Sequence, residues 1–136
     1  MEDTFLQNSF IELSQVLRNP SSVYAHRNGK EKEWETLEEH TMLCRKYFVR
    51  IYEKKNIGEK MELLEKEYLG ETDNETARLL TEMLCNVISF HDIGKHNPNF
   101  QRNIMEREEV QKDASYRFAG NEHSILSAVL YLDYYD

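Results

Sequence analysis

The segment LLTEMLCNVISFHD, residues 79–92, constrains the fold of this chain more than any other. Leu79, Leu80, Met83, Leu84, Val87 and Ile88 recur at steps of three and four, the periodicity of a helix with a broad apolar face. A helix that apolar has to be covered by others. Thr72 and Glu75 have the Thr-x-x-Glu spacing of a capping box that would start it. The pattern runs directly into His91 and Asp92, with Gly94, Lys95, His96, Asn97 and Pro98 close behind. The chain therefore has to build a helical core whose central helix carries a His-Asp pair to its polar end.

The remaining sequence also reads helical, with only two prolines, five glycines and no sustained strand-type alternation. Residues 4–17 predict a first helix, capped by Asp3 or Thr4, with Phe5, Phe10, Leu13, Val16 and Leu17 on one face. Residues 20–35 read as a polar connection. A second capping box, Thr36 to Glu39, opens a helix whose core stripe is Leu37, Thr41, Cys44, Phe48 and Ile51, with His40 on the stripe's edge. A short charged helix follows over about residues 58–69 and stops at Gly70. Asn97-Pro98 opens another helix, through about Glu109. The last helix starts near Asn121, carries Ile125, Leu126, Val129, Leu130 and Leu132, and holds His123 in its first turn. The fold class is all-α, and 136 residues make one domain.

Composition excludes several functions. No apolar run approaches the roughly 20 residues of a membrane span. The acidic, polar start MEDTFLQNSF is neither a secretory signal nor a transit peptide. Cys44 and Cys85 lack a Cys-x-x-Cys spacing and read as reduced core residues of a cytoplasmic protein. The net charge is −8, and the cations are interleaved with acids, as in KEKEWE and MEREEVQK. A simple nucleic-acid-binding module would show a basic face. If this domain handles nucleic acid, a metal or a partner must supply much of the positive field.

His40, His91, Asp92 and His123 stand at the polar margins of three core helices. Neutral imidazole and carboxylate suit Mn, Fe, Co, Ni or Zn ions. Adjacent helix positions point about 100° apart, so Asp92 can offer its second oxygen to a neighbouring ion. A carboxylate shared by two cations about 3.5–4 Å apart is an arrangement that activates water and clamps a phosphate. Gly94 is expected to let the backbone approach a ligand, Lys95 to place a cation beside the site, and the helix opened by Asn97-Pro98 to favour an anion. The plainer readings are hydrogen-bonded core histidines, a polar helix end, and a solvated Lys95. His26 and His96 read as surface residues or supports rather than ligands. Phe100 reads as a core anchor and Gln101 as a partner for nearby backbone. Trp34, Tyr131, Tyr134 and Tyr135 read as packing residues.

HDIGKHNPNFQ resembles the His-Asp-x-Gly-Lys-x-x-x-x-Phe-Gln signature of the HD nuclease domain of the CRISPR-associated type I helicase-nuclease. YAHRNGKEKEWETLEEHT is similar to that family's opening, and NEHSILSAVLY to its later histidine segment; together they cover most of residues 24–132 in the family's order. The resemblance implies an HD-domain helical bundle that cleaves single-stranded DNA in antiviral interference. It implies that His40, His91 and Asp92 hold a first metal, that Asp92 bridges to a second, and that His123 is a ligand of the second. Lys95 would sit beside the scissile phosphate, so Asp92 and Lys95 are the implied catalytic pair. One or two divalent ions are implied, Mn, Ni, Co or Fe, with Mg and Zn as further candidates. The implied partners are single-stranded DNA, a helicase domain or subunit, and the RNA-guided CRISPR complex. The family also has consecutive histidines and a distal aspartate downstream of the His123 segment, and no His-His pair occurs in these 136 residues. The chain is accordingly expected to be the N-terminal part of a longer HD nuclease domain. Two rival readings stand beside it: an HD-type nucleotide phosphohydrolase, and a catalytically incomplete HD scaffold.

Overall fold

The structure, a computed structural model, describes residues 4–27, 33–70, 73–111 and 122–136. Among them the helices are α1 (Thr4–Asn8), α2 (Leu13–Val16), α3 (Leu37–Lys54), α4 (Ile57–Tyr68), α5 (Asn74–Phe90), α6 (Pro98–Asn103) and α7 (His123–Tyr135). Two 3-10 turns, Pro20–Ser22 and Ile93–His96, and two short strands, β1 (Tyr24–Arg27) and β2 (Trp34–Thr36), complete the fold. No helix among the described residues is long and apolar enough to cross a membrane. The architecture is mostly helical, as expected, with one element that the local sequence pattern does not announce.

That element is the β-ribbon inside the expected polar connection. β1 and β2 pair antiparallel, with Tyr24 opposite Thr36 and His26 opposite Glu35, and a bulge between Tyr24 and His26. Strands of four and three residues are too short to show alternation. What holds them is distant in sequence: the Gln101 side chain accepts from Tyr24 N (3.1 Å) and donates to Tyr24 O (2.8 Å). Ala25 is buried against Leu37, Phe90 and Ile93.

The capping box at Thr36 forms as expected, with the Glu39 amide donating to Thr36 Oγ1 at 3.1 Å and the Thr36 amide to Glu39 Oε2 at 2.9 Å. Leu37, directly after the cap, is fully buried, a contribution of about 1.5–3 kcal/mol. α4 ends before Gly70, which takes the left-handed φ of 73° that favours glycine.

Elsewhere the helical reading is corrected. The first helix is not continuous over 4–17: it breaks between Asn8 and Leu13. Buried Asn86 of α5 accepts from Ile11 N (2.8 Å) and donates to Ser9 O (3.2 Å), taking backbone groups that a helix would have used. Arg45 of α3 clamps the same break, bonding Ile11 O and Ser89 Oγ while its guanidinium lies over Phe10. α5 is capped by Asp73, whose carboxylate accepts from the Thr76 amide at 2.7 Å; Thr72 lies outside the described residues. α6 stops at Asn103 rather than near Glu109, because Glu106 is left-handed (φ 55°) and Arg107 turns back to bond Ser22 O and Gln101 Oε1.

The apolar faces are also less covered than expected. Leu79 and Val87 of α5 and Ile51 of α3 are exposed. On α7, Ile125 (60 %), Val129 (54 %) and Leu132 (66 %) face outward, while Leu130 and Tyr131 pack on the core. The start of α7 at His123 agrees with the expected position, and Asn121 lies outside the described residues. Tyr131, Tyr134 and Tyr135 do pack: Tyr131 and Tyr134 against Phe90, and Tyr135 against both of them and as acceptor from Asn86 Nδ2.

Candidate metal centre

Three helices and one turn converge on a single point. The first turn of α3 supplies His40, and the end of α5 supplies His91. The turn after α5 supplies Asp92 and Lys95, and the first residue of α7 is His123. His40 Nε2 lies 3.4 Å from His91 Nε2 and 3.1 Å from Asp92 Oδ2, and His91 Nε2 lies 3.5 Å from that same oxygen. The other carboxylate oxygen, Oδ1, is 3.5 Å from His123 Nε2. All four expected ligands are thus gathered, with the two oxygens of Asp92 turned to different histidines.

The local structure also fixes which ring atoms face inward. His91 Nδ1 bonds the Ile88 carbonyl, which can only accept, so this nitrogen carries the proton and Nε2 presents its lone pair. His40 has a carboxylate oxygen at each ring nitrogen, Glu35 Oε2 3.1 Å from Nδ1 and Asp92 Oδ2 3.1 Å from Nε2, and Glu35 is the partner that would hold a proton on Nδ1 when Nε2 serves as a ligand. Glu35, on β2, carried no signal in the sequence, because only the ribbon brings it over α3. His26, opposite it on β1, stacks edge-on to the His40 ring at 4.5 Å, and His26, Glu35 and His40 place their ligand atoms within 4.8 Å of one another. His96, at the end of the turn after α5, is half-buried.

Cys44 is a correction. It is not a plain core residue: it lies one helical turn after His40, with Sγ 3.6 Å from His40 Nε2 and 3.9 Å from His91 Nε2. Burial, then the Asp92 and Glu35 carboxylates, push its thiol up against the opposing charge of Lys95. Cys85 is the expected core residue, fully buried and free.

Lys95 is not solvated. It is 5 % exposed, donates to Ala25 O at 3.2 Å, and pairs with Asp92 Oδ2 at 2.8 Å. Burial acts against the Asp92 anion, yet the hydrogen bond and charge of Lys95, with His91 and His40 behind it, outweigh burial and hold its carboxyl below the ordinary 3.8. Burial lowers His123 below 6.5; Asp92 opposes this, while Lys95 and His91 add to it. Burial thus favours the neutral imidazole at His123, the form that a metal ligand takes.

Gly94 serves a closer contact than the one expected of it. A Cβ there would lie 2.1 Å from the carbonyl oxygen of His123. The Gly94 amide donates to Ser127 Oγ (2.9 Å), which donates in turn to His123 O (2.8 Å). The glycine therefore seats the start of α7, and with it His123, against Asp92. The Asn97 cap is self-satisfied, its side chain accepting from the Asn99 amide, on a helix of only six residues. Phe100 is buried beneath the site, edge-on to the His123 ring at 5.1 Å, and Gln101 also donates to Lys95 O at 2.8 Å.

The donor set fits a divalent cation. Two imidazole nitrogens and a carboxylate oxygen face one another at 3.1–3.5 Å, with Lys95 Nζ 2.8 Å from that same oxygen. His123 Nδ1 is buried without a hydrogen-bond partner among the described residues. Such a set favours Zn, Fe, Co, Ni or Mn over an all-oxygen Mg or Ca site.

No curated protein and no solved structure matches the chain. Residues 25–135 match the family described as Cas3, HD domain, a segment that begins in β1, ends in α7 and contains every residue of the centre. The chain belongs to the Cas3 HD-domain family of CRISPR-associated, metal-dependent HD nucleases.

Proposed function

We propose that this domain hydrolyses phosphodiester bonds of single-stranded DNA at the centre built by His40, His91, Asp92 and His123. The observation that carries the reading is the division of Asp92, with Oδ2 shared by His40 and His91 and Oδ1 turned to His123. His40, His91 and Asp92 would hold one cation, and Asp92 with His123 a second. Cations bound there supply Lewis acidity and an activated water for attack on phosphorus. The chain's own residues do the positioning. Glu35 and the Ile88 carbonyl fix the His40 and His91 rings, and Gly94 sets the distance of His123. Lys95 keeps an ammonium group beside Asp92, where it offsets charge growing on a phosphoryl oxygen.

The net charge of −8 supports delivery of the strand by a partner, a helicase and an RNA-guided complex in the cytoplasm, over capture by the domain alone. The test is incubation with circular single-stranded DNA and Mn or Co, with Asp92→Ala as control. Linear products from the wild-type chain, absent with chelator and in the variant, support the reading. Phosphate released from nucleotides with the circle left intact favours the nucleotide phosphohydrolase. Metal binding with neither activity favours the incomplete scaffold.

A further inference from the structure

We propose that Cys44 is a fourth ligand of the first metal, giving the centre an N,N,O,S donor set that selects thiophilic cations such as Zn and Co over Mg. The inference rests on the metal-binding reading above and extends it to a residue outside the His-Asp signature.

His40, Cys44 and His91 place their ligand atoms within 4.8 Å of one another, and their distances, with those of the two rings to Asp92 Oδ2, approach the edges of a tetrahedral site. An ion with nitrogens or oxygens at about 2.0–2.1 Å and a sulfur at about 2.3 Å puts its ligand edges near 3.3–3.4 Å for N···N or N···O and near 3.6 Å for S···N. The edges here are 3.4 Å for His40 to His91, 3.1 Å and 3.5 Å from those rings to Asp92 Oδ2, and 3.6 Å and 3.9 Å from them to Cys44 Sγ. Where both Nε2 atoms serve as ligands they present lone pairs, and the Cys44 thiol, which faces both, is placed to add a third donor. The i, i+4 spacing of His40 and Cys44 places both side chains on one face of a long, capped helix, so the pair is presented by a rigid support. On binding, the thiol releases its proton to solvent and Sγ donates to the cation. Thiolate is a poor ligand for Mg and a good one for Zn, which gives the proposal its selectivity.

The test is anaerobic titration of the full 136-residue chain with Co2+, in the wild type, Cys44→Ser and Cys85→Ala. Visible d–d bands report a low-coordinate cobalt site, and a near-ultraviolet thiolate-to-cobalt charge-transfer band reports sulfur ligation. The expected result is both features in the wild type and in Cys85→Ala. In Cys44→Ser the charge-transfer band is lost while the visible bands remain, and Zn affinity falls about 10-fold or more, on the scale of losing a residue that supports a metal site. Visible bands without the charge-transfer band, or a charge-transfer band that survives Cys44→Ser, overturn the inference and leave the metal centre standing. No cobalt bands in the wild type would overturn both. Should Cys44→Ser fold poorly, alkylation by iodoacetamide in the wild type decides: Zn must protect Cys44 in the mapped peptide, and equal labelling with and without Zn refutes the ligand role.

Discussion

The amide of Gly94 and the carbonyl of His123 are tied through one hydroxyl, that of Ser127, at 2.9 Å and 2.8 Å. A methyl group on Gly94 would sit 2.1 Å from that carbonyl oxygen. The contact, two residues after Asp92, decides how near α7 brings its histidine to the carboxylate.

Gly94→Ala is therefore expected to force α7 outward, at a cost of about 1–3 kcal/mol, the usual scale of overpacking. Binding by the His40, His91 and Asp92 set should persist, and binding that depends on His123 should be lost. Calorimetric stoichiometry of Mn or Co against the wild type, together with a thermal melt, checks both. An unchanged melting temperature with unchanged stoichiometry contradicts the account.

Glu35→Gln keeps size and most of the hydrogen bonding but removes the charge that favours the proton on His40 Nδ1. Metal affinity should fall about 10–100-fold with little change in fold, as for other carboxylates that orient a ligating histidine. Equal affinities in the two proteins would show that the ribbon does not support the centre.

Asn86→Leu leaves the Ser9 carbonyl, the Ile11 amide and the Tyr135 hydroxyl without their shared partner. Unsatisfied buried groups of this kind cost about 1–3 kcal/mol, so chemical denaturation should show a loss of about 2–3 kcal/mol. Asn86 lies away from the metal ligands, and metal affinity should be unchanged in the folded variant. A loss below the error of the measurement would mean that the break after Asn8 is held by Arg45 alone.

These residues also show what the sequence could and could not disclose. α3, α4 and α5 were legible because their information is local: caps at their starts, apolar steps of three and four, Gly70 at one end. The His-Asp-x-Gly-Lys run was legible because its residues are contiguous and lie where an apolar helix ends. The break at Ser9–Glu12 depends on Asn86, some 75 positions away, and no local pattern announces it. The ribbon depends in the same way on Gln101. Glu35 and Cys44 acquire their meaning only when β2 and α5 are laid beside His40. The i, i+4 relation of His40 and Cys44 was available in the sequence, but an apolar setting made the thiol look like core.

Acid should destabilise the metal-free protein in two steps. His123 lies below its ordinary 6.5, so between that value and its folded one the unfolded chain holds more protons than the folded chain. No penalty exists above 6.5; it grows as pH falls and is complete below the folded value. The stability that Asp92 contributes is present above 3.8 and is lost at more acid pH, through its own lowered folded value. Urea midpoints taken against pH, with chelator present, should decline on acidification, and His123→Asn should shrink the upper step, leaving the part due to His26, which burial also lowers. A wild-type midpoint that rises below pH 6.5 contradicts this.

The most direct measurement is the thermal shift of this chain with Co or Mn, wild type against Asp92→Ala. At a metal concentration about 100 times Kd, binding to the folded state alone adds about 2.7 kcal/mol. For a domain of this size that is a rise of roughly 10 °C in Tm. Such a rise is expected in the wild type, reversed by chelator, and none in Asp92→Ala. The same shift in both proteins, or no shift in the wild type, would contradict a metal centre organised around Asp92.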